Sequence, residues 1–113
     1  LLVTATMVQR PELFSAVVSQ VPLIDMLRYH KLLAGASWIA EYGNPDVPED
    51  RAFIARYSPY QNVRKGVAYP RLFLVTSTRD DRVHPGHARK MAARMREQGH
   101  DVLYFENIEG GHG

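Results

Sequence analysis

Apolar positions along the chain sort into runs of different period. Residues Leu1 to Val8 are apolar on nearly every side of a helical wheel, which predicts a helix buried all round and stopped by Pro11. Ala16 to Val21 is short and rich in β-branched residues, the pattern of a buried strand, and Pro22 ends it. Leu23 to Leu33 reads as a short helix with Leu23, Met26 and Leu27 on one face. Ala36 to Tyr42 reads as a second helix, closed by Gly43-Asn44-Pro45. Asp50 is placed to cap a helix running through Tyr57, and Ser58 to Pro70 is punctuated by proline and reads as irregular.

The last third has the plainest pattern. Leu72-Phe73-Leu74-Val75-Thr76 is a continuous apolar strand of the kind covered on both faces in a parallel sheet. Pro85-Gly86 opens a helix to about Gln98, in which Ala88, Met91, Ala92 and Met95 recur at i, i+3, i+4 and i+7 and form one apolar stripe. Arg94 and Arg96 suit the negative end of its dipole, and Gly99 supplies the stop. Val102 to Phe105 is the next strand. Strand, helix and strand within about 30 residues is the size of a parallel crossover, so the fold class is α/β. Three visible strands leave sheet edges and faces open, and the chain begins without a Met and stops inside a glycine loop. It is therefore expected to be a piece with both natural termini absent.

Composition narrows the classes. The chain has 113 residues, 45% hydrophobic and 23% charged, which suits at most one packed domain and argues against disorder. No apolar run is long enough to span a membrane. The absence of cysteine excludes a disulfide framework, a thiolate nucleophile and a cysteine zinc site, without fixing a compartment. Net charge is +2 and no basic run exceeds two residues, so nothing favours nucleic acid as a partner. His84 and His87 lack a third ligand of settled position, so no metal or other cofactor is expected.

In a parallel α/β sheet, chemistry gathers at the carboxyl ends of the strands. One such end carries Arg79-Asp80-Asp81-Arg82 and the next carries Glu109-Gly110-Gly111-His112-Gly113. An acid on one loop can hold an imidazole from the other in the tautomer that leaves its second nitrogen free as a base. Spacing alone does not choose between Asp80 and Asp81. Acid before histidine is the chain order of α/β-hydrolases, whose serine comes earlier in a Gly-x-Ser-x-Gly turn. Ser15, Ser19, Ser37, Ser58 and Ser77 all lack those flanking glycines. The competing reading is a non-catalytic α/β interaction module, in which Asp80 and His112 point apart. Trp38 and Tyr42, four residues apart, would share a helix face and make an aromatic wall.

The landmarks Gln9-Arg10-Pro11-Glu12-Leu13-Phe14, Asp25 to Lys31, Trp38 to Gly43, Tyr57-Ser58-Pro59, Asp80-Asp81-Arg82-Val83 and Gly110-Gly111-His112-Gly113 occur in this order over essentially the whole chain. In that set the chain resembles the C-terminal part of the catalytic domain of the prolyl oligopeptidase family of serine peptidases. The resemblance implies an incomplete α/β-hydrolase fold, with three mainly parallel strands and flanking helices. Residues 1–113 would be a partial catalytic domain lacking the nucleophile turn, the β-propeller and the final helix. In the family, Gly-Gly-Ser-Asn-Gly-Gly directly precedes the position matching Leu1. Residue by residue, the resemblance makes Asp80 the triad acid and His112 the triad base. Arg82 matches the arginine that hydrogen-bonds substrate carbonyls, and Trp38 matches the indole that stacks on the substrate proline. Tyr42, Val83 and Leu23 match other positions of that pocket, Leu23 replacing a smaller apolar residue. Trp38 and Tyr42 together imply cleavage after proline in short peptides rather than after basic residues. An esterase or acyl-aminoacyl peptidase of this fold would use the same acid and base. The chain alone is expected to be inactive, and to self-associate or to need the remainder of its domain.

Overall fold

The computed structural model describes all 113 residues, Leu1–Gly113. The elements are α1 (Leu2–Gln9), β1 (Ala16–Gln20), α2 (Ile39–Tyr42), α3 (Pro48–Tyr57), α4 (Pro59–Asn62), β2 (Arg71–Ser77), α5 (Gly86–Glu97) and β3 (Val102–Asn107). The three strands form one parallel sheet in the order β1-β2-β3, with Val17 opposite Leu72 and Leu72 opposite Val102. Because every strand runs the same way, the loops after β2 and β3 leave by the same edge.

One face of the sheet is packed. Val17, Leu72, Leu74 and Val102 lie in one core with Met7 of α1 and with Met91, Ala92 and Met95 of α5. The apolar stripe of α5 is thus buried along its length, each methionine contributing about 1.5–3 kcal/mol by leaving water. Thr4 of α1 and Ser19 of β1 add a buried hydroxyl pair at 2.9 Å. Gly99, at φ 86°, takes the left-handed conformation that ends α5, and His100 N–H returns to the Met95 carbonyl at 2.9 Å.

The opposite face is open, as three strands were expected to leave it, although the apolar run of β2 is of the kind covered on both sides. Val18, Leu103 and Phe105 are exposed, and Phe73 and Val75 are half-buried. A continuous apolar strand reports the surroundings it suits, and no element of these 113 residues crosses that face. For the same reason α1 is not buried all round: Leu2 is 79% exposed, while Thr4, Ala5 and Met7 face the core.

Other corrections concern the middle of the chain. Leu23 to Leu33 is not one helix; within it Tyr29–Lys31 makes a single 3₁₀ turn. The backbone N–H groups of Ile24 and Asp25 donate to His87 Nδ1, at 3.2 and 2.9 Å, and that of Met26 donates to Ser58 Oγ at 2.9 Å. Those three donors would be free in the first turn of a helix as well; the departure from one is that the N–H groups of Arg28, Lys31 and Leu32 reach carbonyls three residues back, at 3.2, 3.0 and 3.1 Å, in separate turns. The run from Leu33 to Trp38 is a 3₁₀ helix, and only Ile39–Tyr42 is α-helical. Pro48 occupies the first turn of α3, and Asp50 does not cap it; its Oδ2 instead accepts the N–H of Asn44 at 2.9 Å. Pro59–Asn62 forms a helical turn inside the stretch read as irregular.

Candidate active site

Two loops at the carboxyl edge of the sheet meet. Asp80 Oδ2 lies 2.9 Å from His112 Nδ1, the Asp80 side chain fully buried and His112 about 28% exposed. Asp80 Oδ1 accepts the N–H groups of Arg82 and Val83, both at 2.9 Å. Burial raises the carboxyl pKa, but the Val83 N–H, the His112 ring and the Arg82 N–H outweigh it and hold Asp80 below the usual carboxylate range. An ionised carboxylate only accepts, so the Nδ1 of a neutral His112 must be its donor. That assigns the proton to Nδ1 and leaves the lone pair on Nε2, the tautomer needed for a base. Asp81, the other acid left open by spacing, is exposed.

The local fold explains the contact. Asp80 N–H caps the turn after β2 by donating to the Ser77 carbonyl at 3.2 Å. Asn107 Oδ1 shapes the start of the second loop by accepting Glu109 N–H at 3.0 Å and Gly110 N–H at 3.3 Å. A Cβ on Gly110 would stand 2.9 Å from the Asn107 amide nitrogen, so a side chain there would push the Asn107 amide aside.

The remaining sequence-predicted residues gather beside this pair. Leu23, Val83, Met26, Tyr29 and Ile54 form a second buried cluster, and Trp38 and Tyr42 pack against it half-buried. Val83 joins the two regions, since its backbone holds Asp80 while its side chain enters the cluster. Trp38 ends the 3₁₀ helix and Tyr42 ends α2, so the two rings reach the cluster by a different backbone path from the single helix expected. Arg82 is exposed and makes no ion pair. None of the five serines hydrogen-bonds His112: Ser19 pairs with Thr4, Ser58 with the Met26 and Ile24 backbone, and Ser37 with the Ala34 carbonyl.

Sequence reasoning gave no role to Tyr29 or Asp25, and weighed His87 only as a metal ligand. Buried Tyr29 donates to the Gly43 carbonyl at 2.5 Å and meets the Tyr42 ring edge-on at 5.8 Å, which props the aromatic wall. Asp25, 1% exposed, pairs with Lys90 and accepts from Gln61 at 2.8 Å. Burial opposes its ionisation, but Lys90 and Gln61 keep its pKa below the usual value. His87 accepts two backbone N–H groups, and His84 Nδ1 accepts that of Gly86 at 2.8 Å, so both histidines serve the main chain. For Asp25 the available signal was an acid interrupting the apolar run Leu23 to Leu27.

A family model described as the prolyl oligopeptidase family matches residues 1–113. An uncharacterised peptidase of Sinorhizobium fredii is 58% identical over 112 residues, covering 99% of this chain and 15% of that protein. Among solved structures, one from a structural and mechanistic analysis of two prolyl endopeptidases superposes with a TM-score of 0.95 at 46% identity. It covers 99% of this chain and 17% of its own. A post-proline cleaving enzyme from Rickettsia typhi gives a TM-score of 0.93 at 40% identity, covering 100% of this chain and 16% of its own. The chain thus spans only about a sixth of the length of the proteins it matches.

Proposed function

The chain belongs to the prolyl oligopeptidase family, and on that premise we propose that it supplies the acid, the base and the proline pocket of a longer serine peptidase. That peptidase cleaves short peptides after proline. Residues 1–113 are one part of its catalytic domain, the nucleophile residing in upstream sequence. The serine hydroxyl attacks the carbonyl after proline as His112 Nε2 takes its proton; His112 then gives that proton to the leaving amine. Asp80 orients the ring and stabilises the imidazolium. The Arg82 guanidinium donates to a substrate carbonyl. Trp38 stacks on the proline ring, and Tyr42, Val83 and Leu23 close the pocket round it. The observation that carries this reading is the 2.9 Å contact between a buried, ionised Asp80 and the half-exposed His112 ring. The competing interaction module would have Asp80 and His112 point apart.

The pocket is tested by substrate choice in the full-length protein. Trp38→Ala should lower kcat/KM for a prolyl anilide roughly 10- to 100-fold, and lower it far less for the alanyl analogue. Equal losses on both would remove proline selectivity from Trp38 and favour an esterase or acyl-aminoacyl peptidase. The 113-residue chain alone, without a nucleophile next to His112, should release no nitroaniline from the same substrate. Turnover by that chain, abolished by His112→Ala, would contradict the assignment of the serine to upstream sequence. The open sheet face, with Val18, Leu103 and Phe105 exposed, gives the isolated chain a surface for self-association.

A further inference from the structure

Glu106, near the end of β3, accepts hydrogen bonds from three different segments. Arg89 of α5 binds it in a bidentate manner, Nε to Oε1 at 2.8 Å and Nη2 to Oε2 at 2.6 Å. Tyr104 OH donates to Oε1 at 2.5 Å, and the hydroxyl of Thr78, the first residue after β2, donates to Oε2. Four donors saturate the carboxylate, so its rotamer is fixed. Thr78 N–H also donates to the Asn107 carbonyl at 2.9 Å, which makes a second tie between the same two segments. Thr78 is two residues before Asp80, and Glu106 is six before His112. Beyond the ties the loops still run together, since a Cβ on Gly111 would lie 3.7 Å from the Arg79 carbonyl.

We propose that Glu106 is a positioning residue: anchored on Arg89, it fastens the loop that carries Asp80 to the strand that delivers His112, and so sets the distance between acid and base. The proposal rests on the assignment of Asp80 and His112 made above. An exposed ion pair alone would mean little, but this one is different in place and in burial. The Arg71–Asp101 pair, at 2.7 Å, links the same strands at their amino ends with both side chains more than 60% exposed, whereas the Glu106 side chain is 18% exposed and that of Arg89 46%. The Arg89 guanidinium, then the Thr78 and Tyr104 hydroxyls, draw the Glu106 pKa down to about 2, so the clamp stays charged across the working range of a histidine base.

The test uses four variants of the full-length protein with a prolyl anilide substrate, the acylation rate being read in the pre-steady state. Thr78→Val removes one hydroxyl from an exposed position and should leave folding intact, while Glu106→Ala removes the whole clamp. Both should lower the acylation rate about tenfold with KM held within about twofold, because misplacing a reacting group by a fraction of an ångström costs rate rather than binding. Glu106→Gln, which keeps one acceptor oxygen, should recover part of the loss. Asp101→Ala, at the far end of the strands, should match the parent protein. Rates unchanged in both Thr78→Val and Glu106→Ala would overturn the proposal, as would an equal loss in Asp101→Ala. His112→Ala is run beside them: if it retains turnover, the catalytic assignment fails and the clamp with it. If it is inactive while the clamp variants are normal, only the clamp fails.

Discussion

Asp80→Asn in the full-length peptidase should lower kcat by about 10⁴-fold while leaving the fold in place. The amide matches the carboxylate in size, and its oxygen can still accept the Arg82 and Val83 N–H groups that Asp80 Oδ1 accepts at 2.9 Å. What changes is the group facing His112. A carboxylate forces the proton onto Nδ1, whereas an amide NH₂ placed there donates, so Nδ1 becomes the acceptor and the proton moves to Nε2. The base then has no lone pair to offer. Steady-state kinetics with a prolyl anilide measure the loss, and circular dichroism should superpose on that of the parent. A loss below about tenfold would mean that the 2.9 Å contact is structural.

The second large effect is acid sensitivity at His87. This ring is 1% exposed, and burial, assisted by Lys90 and His84 and opposed by Asp25, pulls its pKa from 6.5 to about 4. A buried histidine with a depressed pKa is neutral in the fold and protonates more readily once exposed. The unfolded segment therefore binds more protons between about pH 6.5 and 4, and stability falls as pH falls through that window. At about 1.4 kcal/mol per pH unit, the loss is on the order of 3 kcal/mol by pH 4. It should appear first where His87 acts, because a protonated Nδ1 can no longer accept the Ile24 and Asp25 N–H groups. Hydrogen exchange by mass spectrometry over residues 21–28 should show protection dropping on the order of 100-fold between pH 7 and pH 4.5, after correction for intrinsic rates. His87→Gln, whose side-chain oxygen accepts without titrating, should flatten that drop. Asp25 and Asp80, both held below the usual carboxylate range, release their share of stability only at lower pH. A pH-independent segment 21–28 would contradict this account of His87.

The parts of the molecule legible in sequence are those whose information is local. β2, α5 and β3 follow from contiguous apolar runs and a clean i, i+3, i+4, i+7 stripe, and the observed spans differ from the reading by a residue or two. The segment from Val21 to Trp38 was misread because it folds as a series of tight turns, the N–H groups of Arg28, Lys31 and Leu32 each reaching a carbonyl three residues back, and is held from a distance by His87 and Ser58, 62 and 32 positions away from Asp25 and Met26. Apolar spacing cannot report that. Val21 and Leu33, at φ 43° and 51°, also hold left-handed backbone that β-branched and aliphatic residues disfavour, so propensity pointed the wrong way. The loops bearing Asp80 and His112 were legible as a pair from topology. Choosing Asp80 over Asp81, and naming Trp38, Arg82, Tyr42, Val83 and Leu23, needed the family resemblance. Glu106, Tyr29 and Asp25 act through contacts that only the folded chain creates.

Labelling of the full-length protein with a fluorophosphonate, followed by peptide mass mapping, addresses the central claim most directly. The account predicts phosphonylation of one serine, in sequence upstream of Leu1. It also predicts that His112→Ala abolishes the labelling while leaving circular dichroism unchanged, because the hydroxyl is nucleophilic only when His112 can take its proton. A serine labelled equally fast without the His112 imidazole, or no serine labelled at all, would contradict it.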